Sequence, residues 1–249
     1  MTPPAVVLLH AFPLNSGMWD QQIEALKHRW QVIAPDLTGF GTAGAPDDPT
    51  TYSVEAYADE VAATLADQGI ERAVIGGLSI GGYVAFSFLR RHRDVVAGLI
   101  LADTRAAADA PEIAARRVAQ QRQVAENGTA ELIENSLENL LCDETKQHRP
   151  DVVERARRLM EQNPPAGFIG ALEAMRRRPD AIDELAGIDV PVLIIVGAAD
   201  KTSPPEVAAE MAARMPNARL EVLPGAGHLS NLEAPEAFNA ALISFLEAF

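Results

Sequence analysis

Six short runs of aliphatic and β-branched residues recur along the chain, each separated from the next by a stretch of helical periodicity. The runs are Ala5–Leu9, Gln31–Ala34, Ala73–Ile75, Val96–Ala102, Val192–Val196 and Arg219–Leu223. A strand followed by a helix cannot turn back on its neighbour as a hairpin, so this alternation confines the chain to a mostly parallel sheet with crossover helices on both faces. Several runs are apolar at nearly every position, as strands covered on both faces should be. A length of 249 residues fits one such α/β unit, and a hydrophobic fraction of 48% can fill its core.

The intervening segments carry single apolar stripes. Trp19, Ile23, Leu26 and Trp30 fall on one helix face, and Val54, Tyr57, Val61 and Leu65 do the same after Ser53, an expected N-cap. Ser203-Pro204 opens another helix, and Phe238, Leu242, Phe245 and Phe249 stripe the last one. These large side chains read as core. From Arg105 to Pro179 no strand pattern occurs. Three apolar faces appear instead, the first through Leu132, Ile133, Leu137, Leu140 and Leu141. Val152, Val153, Ala156, Leu159 and Met160 make the second, and Phe168, Ile169, Leu172 and Met175 the third. Residues 105–179 are therefore expected to form a helical cap inserted into a core of residues 1–104 and 180–249.

Charge and cysteine content narrow the function. With 21 basic and 35 acidic residues the net charge is −14, which argues against nucleic acid or an anionic membrane as partner. The single cysteine, Cys142, excludes an internal disulfide and Cys-rich metal sites. The first basic residue is Lys27, so the apolar start lacks the positive region of a signal peptide. The longest apolar run, near Val192–Ala199, is far shorter than the roughly 20 residues of a membrane helix. A cytoplasmic protein is expected, with the existence of a homo-oligomer left open.

The chemistry concentrates at strand ends. Gly77-Leu78-Ser79-Ile80-Gly81 is a G-x-S-x-G directly after the third apolar run and before a helix over about Gly82–Arg91. A serine forced into a sharp strand-to-helix turn needs glycine two residues to either side, where side chains would collide. Its hydroxyl requires a base and a group that orients the base. His228, in the glycine-rich Pro224-Gly225-Ala226-Gly227-His228 loop after the last strand, is the expected base. His28, His92 and His148 lie in polar, surface-like contexts, and His10 reads as a brace for the loop it begins. Asp200, four residues after the fifth run, is the expected acid, and Asp103 at the end of the fourth run is its rival. Asp36 reads as turn chemistry. An oxyanion needs two fixed N–H donors, expected from the backbone of Ile80 and of Phe12 in the His10-Ala11-Phe12-Pro13 loop.

These residues, with Ser79–Ala85 and the Gly227–Pro235 segment, look like the α/β-hydrolase family, and the resemblance covers the whole chain. The similarity is to capped, cofactor-free members such as oxoadipate enol-lactonases, small carboxylesterases and serine-dependent perhydrolases. It implies a Ser79–His228–Asp200 triad that cleaves a small-molecule ester or lactone through an acyl-enzyme, with neither metal nor organic cofactor. Perhydrolysis and acyl transfer by the same triad are the nearest alternatives, and a small-molecule receptor on the same fold is the alternative of another class. Ala11 stands where the family has glycine, and the usual N-terminal antiparallel hairpin is expected to be absent. Leu137, Leu141, Phe168, Leu172 and Met175 are candidates for an apolar acyl pocket, or else for packing between cap helices.

Overall fold

The computed structural model describes residues 3–249. Its strands are β1 (Ala5–Leu9), β2 (Val32–Ile33), β3 (Ala73–Leu78), β4 (Val96–Ala102), β5 (Val192–Gly197) and β6 (Ala218–Leu223). They form one sheet in the order β2-β1-β3-β4-β5-β6, and every pairing among the described residues is parallel. Each apolar run thus becomes a strand, with ends moved by a few residues; β2 keeps only its two central residues. β1, β3, β4 and β5 are buried along their whole length. β6 is not the buried strand its sequence suggests. It lies at the sheet edge, so Arg219 and Val222 face solvent and only Leu223 is fully covered.

Between the strands run α1 (Asp20–Leu26), α2 (Val54–Asp67), α3 (Ile80–Arg91) and α9 (Pro205–Arg214), and the chain closes with α10 (Ser230–Glu233) and α11 (Pro235–Leu246). Right-handed crossovers put α2, α3 and α9 on one face and α1 on the other, where α11 packs beside it. Ser53 caps α2 by accepting the Ala56 N–H at 3.0 Å. Two stripes outrun their helices: Trp30 lies in the turn after α1, and Phe249 folds back past α11 to meet Phe245 edge-on at 5.4 Å. α9 begins at Pro205, one residue later than the Ser203-Pro204 signal, with Pro204 as its N-cap.

The segment between β4 and β5 contains α4 (Pro111–Asn127), α5 (Ala130–Leu140), α6 (Asp143–His148), α7 (Pro150–Glu161) and α8 (Pro165–Arg177). No helix among the described residues is long and apolar enough to cross a membrane. The order of strands reverses at β1, which is followed on one side by β2 and flanked on the other by β3. Loops leaving the C-terminal ends of β1 and β3 diverge at this point and open a crevice.

Candidate active site

Ser79 fills that crevice at the β3–α3 turn. Its backbone takes φ 57° and ψ −114°, and helix α3 starts at once with Ile80, two residues before the sequence suggested. The strain is held from several sides. Ser79 N–H donates to Ala102 O at 2.9 Å, and Ser79 O accepts from Thr104 Oγ1 at 2.8 Å. The flanking glycines are steric necessities: a Cβ on Gly77 would enter the Gly81 backbone, and one on Gly81 would meet the Leu9 carbonyl.

His228 and Asp200 come together behind this turn. His228 Nδ1 lies 2.8 Å from Asp200 Oδ2, with the two side chains 1% and 0% exposed. Asp200 Oδ1 accepts the N–H groups of Thr202 at 2.7 Å and Ser203 at 2.9 Å. Burial alone would raise this carboxyl, but the His228 ring and the two amides hold it below the usual carboxylate range. It therefore stays charged and keeps the Nδ1 proton on the ring.

Asp103, the rival acid, bonds elsewhere. It accepts Gly197 N–H at 2.8 Å and the Ser230 hydroxyl, so it ties the end of β5 to the helix turn just after His228. Ser79 and Asp103 are the two non-glycine residues with positive φ among the described residues. Burial, and then the charge of Asp200, push the Asp103 carboxyl far above the usual range. Two adjacent carboxyls have been driven apart, one ionised against His228 and one favouring its neutral form.

The loop after β1 supplies the other wall. Ala11 is fully buried, its N–H 3.2 Å from Met18 Sδ and its carbonyl accepting from Leu14 N–H at 2.9 Å. Alanine fits there without a positive φ. Neither the Phe12 nor the Ile80 amide has a hydrogen-bond partner among the described residues. His10 donates from Nδ1 to Ala11 O at 3.1 Å and accepts Leu37 N–H at Nε2 at 3.0 Å, which fixes a neutral ring. Burial lowers its pKa from 6.5 to about 4, against the smaller raising effects of the Ala11 carbonyl and Asp36.

This ring makes stability pH-dependent. An unfolded chain takes up a proton at His10 near pH 6.5, while the folded chain resists until about 4, so stability falls as pH drops through that window. Urea unfolding at about pH 7 and pH 4.5 should show His10→Gln losing roughly 2–3 kcal/mol less than wild type over the interval. Equal losses would mean that His10 titrates as a solvated ring.

Ser79, His228 and Phe12 line a cavity of about 440 Å³. Its remaining walls come from Tyr83 on α3, from α4, α5 and α8, and from Arg105, Asp109, Lys201 and Thr202. Of the five candidate pocket residues, Met175 alone faces it. Leu137, Leu141, Phe168 and Leu172 are buried in packing instead, and Leu132 and Leu140 take the wall positions. Phe168 shows why: it stacks edge-on against Phe12 at 5.6 Å and lies beside Phe40, so it supports the loop from behind. Nor is the lining largely apolar, since Asp109, Arg116, Arg117, Gln120, Asn135, Ser136 and Asn139 contribute to it.

Sequence reasoning did not assign the ties between α5 and the His228 loop. His228 N–H donates to Leu140 O at 2.8 Å. The buried Glu233 accepts Gly227 N–H at 2.9 Å and Cys142 N–H at 2.8 Å. The one available signal was an acid, Glu233, in the short Leu229–Pro235 segment after His228. Asn163, in the turn before α8, similarly donates to Pro13 O at 2.8 Å and accepts Gly41 N–H at 2.8 Å. The inserted helices are thus fastened to both loops that flank Ser79.

A family model described as the alpha/beta hydrolase fold matches residues 4–235. The chain is 33% identical to a pimeloyl-(acyl-carrier protein) methyl ester esterase from Neisseria meningitidis, covering 97% of this chain and 93% of that one. It is 29% identical to a 3-oxoadipate enol-lactonase from Acinetobacter baylyi, over 99% of this chain and 90% of the relative. A thermophilic esterase from Thermogutta terrifontis, solved with malate bound, superposes with a TM-score of 0.94 at 39% identity, covering 99% of this chain and 90% of that one.

Proposed function

The chain belongs to the alpha/beta hydrolase family, and from that premise we propose that it hydrolyses a small carboxylic ester or lactone through an acyl-enzyme on Ser79. The observation that carries this reading is the buried His228–Asp200 pair, whose ring lines the same cavity as the strained Ser79. Ser79 Oγ attacks the carbonyl carbon as His228 Nε2 takes its proton. Asp200 keeps the ring in the right tautomer and stabilises the imidazolium. The oxygen that becomes negative is met by the free N–H groups of Phe12 and Ile80, donors already in place before the charge develops. The imidazolium then gives its proton to the leaving alkoxide. Water, deprotonated by the same ring, releases the acid and regenerates Ser79.

In this reading residues 105–179 act as the cap. α4, α5 and α8 wall the cavity, and the fastening of Leu140 and Cys142 to the His228 loop keeps the base and its cover in one rigid frame. The enol-lactonase and methyl ester esterase relatives support an ester or lactone as substrate.

Steady-state hydrolysis of 4-nitrophenyl acetate, together with labelling by a fluorophosphonate, tests the reading. Multiple turnovers and a mass adduct on the Ser79 peptide are expected. Slow stoichiometric labelling without turnover would point to a small-molecule receptor, and turnover with an unlabelled Ser79 would place the nucleophile elsewhere.

A further inference from the structure

Most cations of this acidic chain are matched with a carboxylate. Of the 21 lysines and arginines, six make no ion pair among the described residues: Arg72, Arg105, Arg116, Arg122, Arg177 and Arg214. Two of these, Arg105 and Arg116, line the cavity that holds Ser79 and His228. Arg105 is half-buried just after β4, Arg116 is exposed on α4, and neither makes a side-chain hydrogen bond among the described residues. The other cations of the wall are already occupied. Arg117 pairs with Asp109, which also binds Arg178 at 2.6 Å, and Lys201 pairs with Asp143 at 3.3 Å. Asp109 therefore has no charge to spare for Arg105 or Arg116.

We infer that Arg105 and Arg116 form an anion subsite, and that the substrate carries a carboxylate on the same molecule as the ester or lactone; only the word substrate here rests on the esterase reading. A chain with 35 acidic residues leaves two guanidinium groups without an ion-pair partner on the wall of one cavity, where their positive charge favours an anion. The planar guanidinium fork matches a carboxylate in two parallel hydrogen bonds. Ile113, Leu132, Leu140 and Met175 give the same cavity apolar wall, which suits an aliphatic spacer between the two functional groups. The ligand class is thus a short half-ester or lactone acid, and the subsite offsets the repulsion that an overall charge of −14 imposes on such a molecule.

The test compares 4-nitrophenyl hydrogen adipate with its methyl-capped diester, which differ by one charge. Wild type should favour the half-ester in kcat/KM by about 10- to 100-fold, the worth of a charge-assisted hydrogen bond. The ratio should shrink in about 0.5 M salt, as screening requires. It should fall close to unity in the Arg105→Gln/Arg116→Gln double variant and invert in Arg116→Glu. Arg122→Gln and Arg214→Gln, unpaired arginines that do not line the cavity, should keep the wild-type ratio. A wild-type ratio near unity, or one that survives the double variant, overturns the subsite and leaves the esterase reading standing. If neither ester turns over, the esterase reading fails, and calorimetry with monomethyl glutarate judges the subsite alone. Binding that disappears in the folded double variant then upholds it, and no binding to wild type overturns it.

Discussion

Ser79→Ala should lower kcat for ester hydrolysis by on the order of 10⁴–10⁶, and His228→Ala should do nearly the same, because nucleophile and base act as one unit. The loss is so large because nothing else in the cavity can replace the pair. Cys142 is buried and turned towards Thr145 and the Gly225 carbonyl, and His10 is locked neutral by two backbone bonds. Folding should survive, since the Ser79 backbone bonds to Ala102 and Thr104 do not involve its hydroxyl. Ser79→Gly should be equally inactive yet more stable than Ser79→Ala, as glycine relieves a φ of 57° that costs other residues about 1–3 kcal/mol. Steady-state kinetics and thermal unfolding measure both halves. More than about a tenth of wild-type activity in Ser79→Ala would end the serine mechanism.

Asp200→Asn should cost roughly 10⁴ in kcat, and Asp103→Asn less than about tenfold. The contrast follows from what each carboxyl touches. Asp200 faces His228 Nδ1 at 2.8 Å while both its oxygens are engaged as acceptors, so an amide there would present the ring with the wrong group or lose the Thr202 and Ser203 bonds. Asp103 meets Gly197 N–H and the Ser230 hydroxyl, and burial beside Asp200 already favours its neutral form. Asparagine is the neutral isostere of that form and can accept from Gly197 while donating to Ser230 Oγ. Kinetics of the two variants, with matched melting temperatures, separate the assignments. A large loss confined to Asp103→Asn would move the acid to the end of β4.

Much of this arrangement was legible in the residues because its causes are short-range. The alternation of apolar runs and helical stripes set the parallel sheet, since crossover connections permit nothing else. Gly77 and Gly81 around Ser79 announced the strained turn, because the collisions they avoid occur within one turn of chain and against the adjacent strand. Placing His228 and Asp200 at strand ends followed from the same logic, as parallel strands deliver their C-terminal loops to one edge.

The tertiary structure decided whatever depends on which distant surfaces meet. The exposure of β6 follows from its place at the edge, which its own residues do not encode. Phe168 and Leu172 carry the pattern of pocket residues, yet packing turned them towards Phe12 and the core, and brought Leu132, Leu140 and two unpaired arginines to the cavity instead. The bond from Cys142 to Glu233 spans 91 positions. A helical stripe states that a face is buried, but it does not state against what. That is set by the joint packing of five inserted helices over one sheet edge, where a rotation of one helix by a single residue, about 100°, exchanges wall for core.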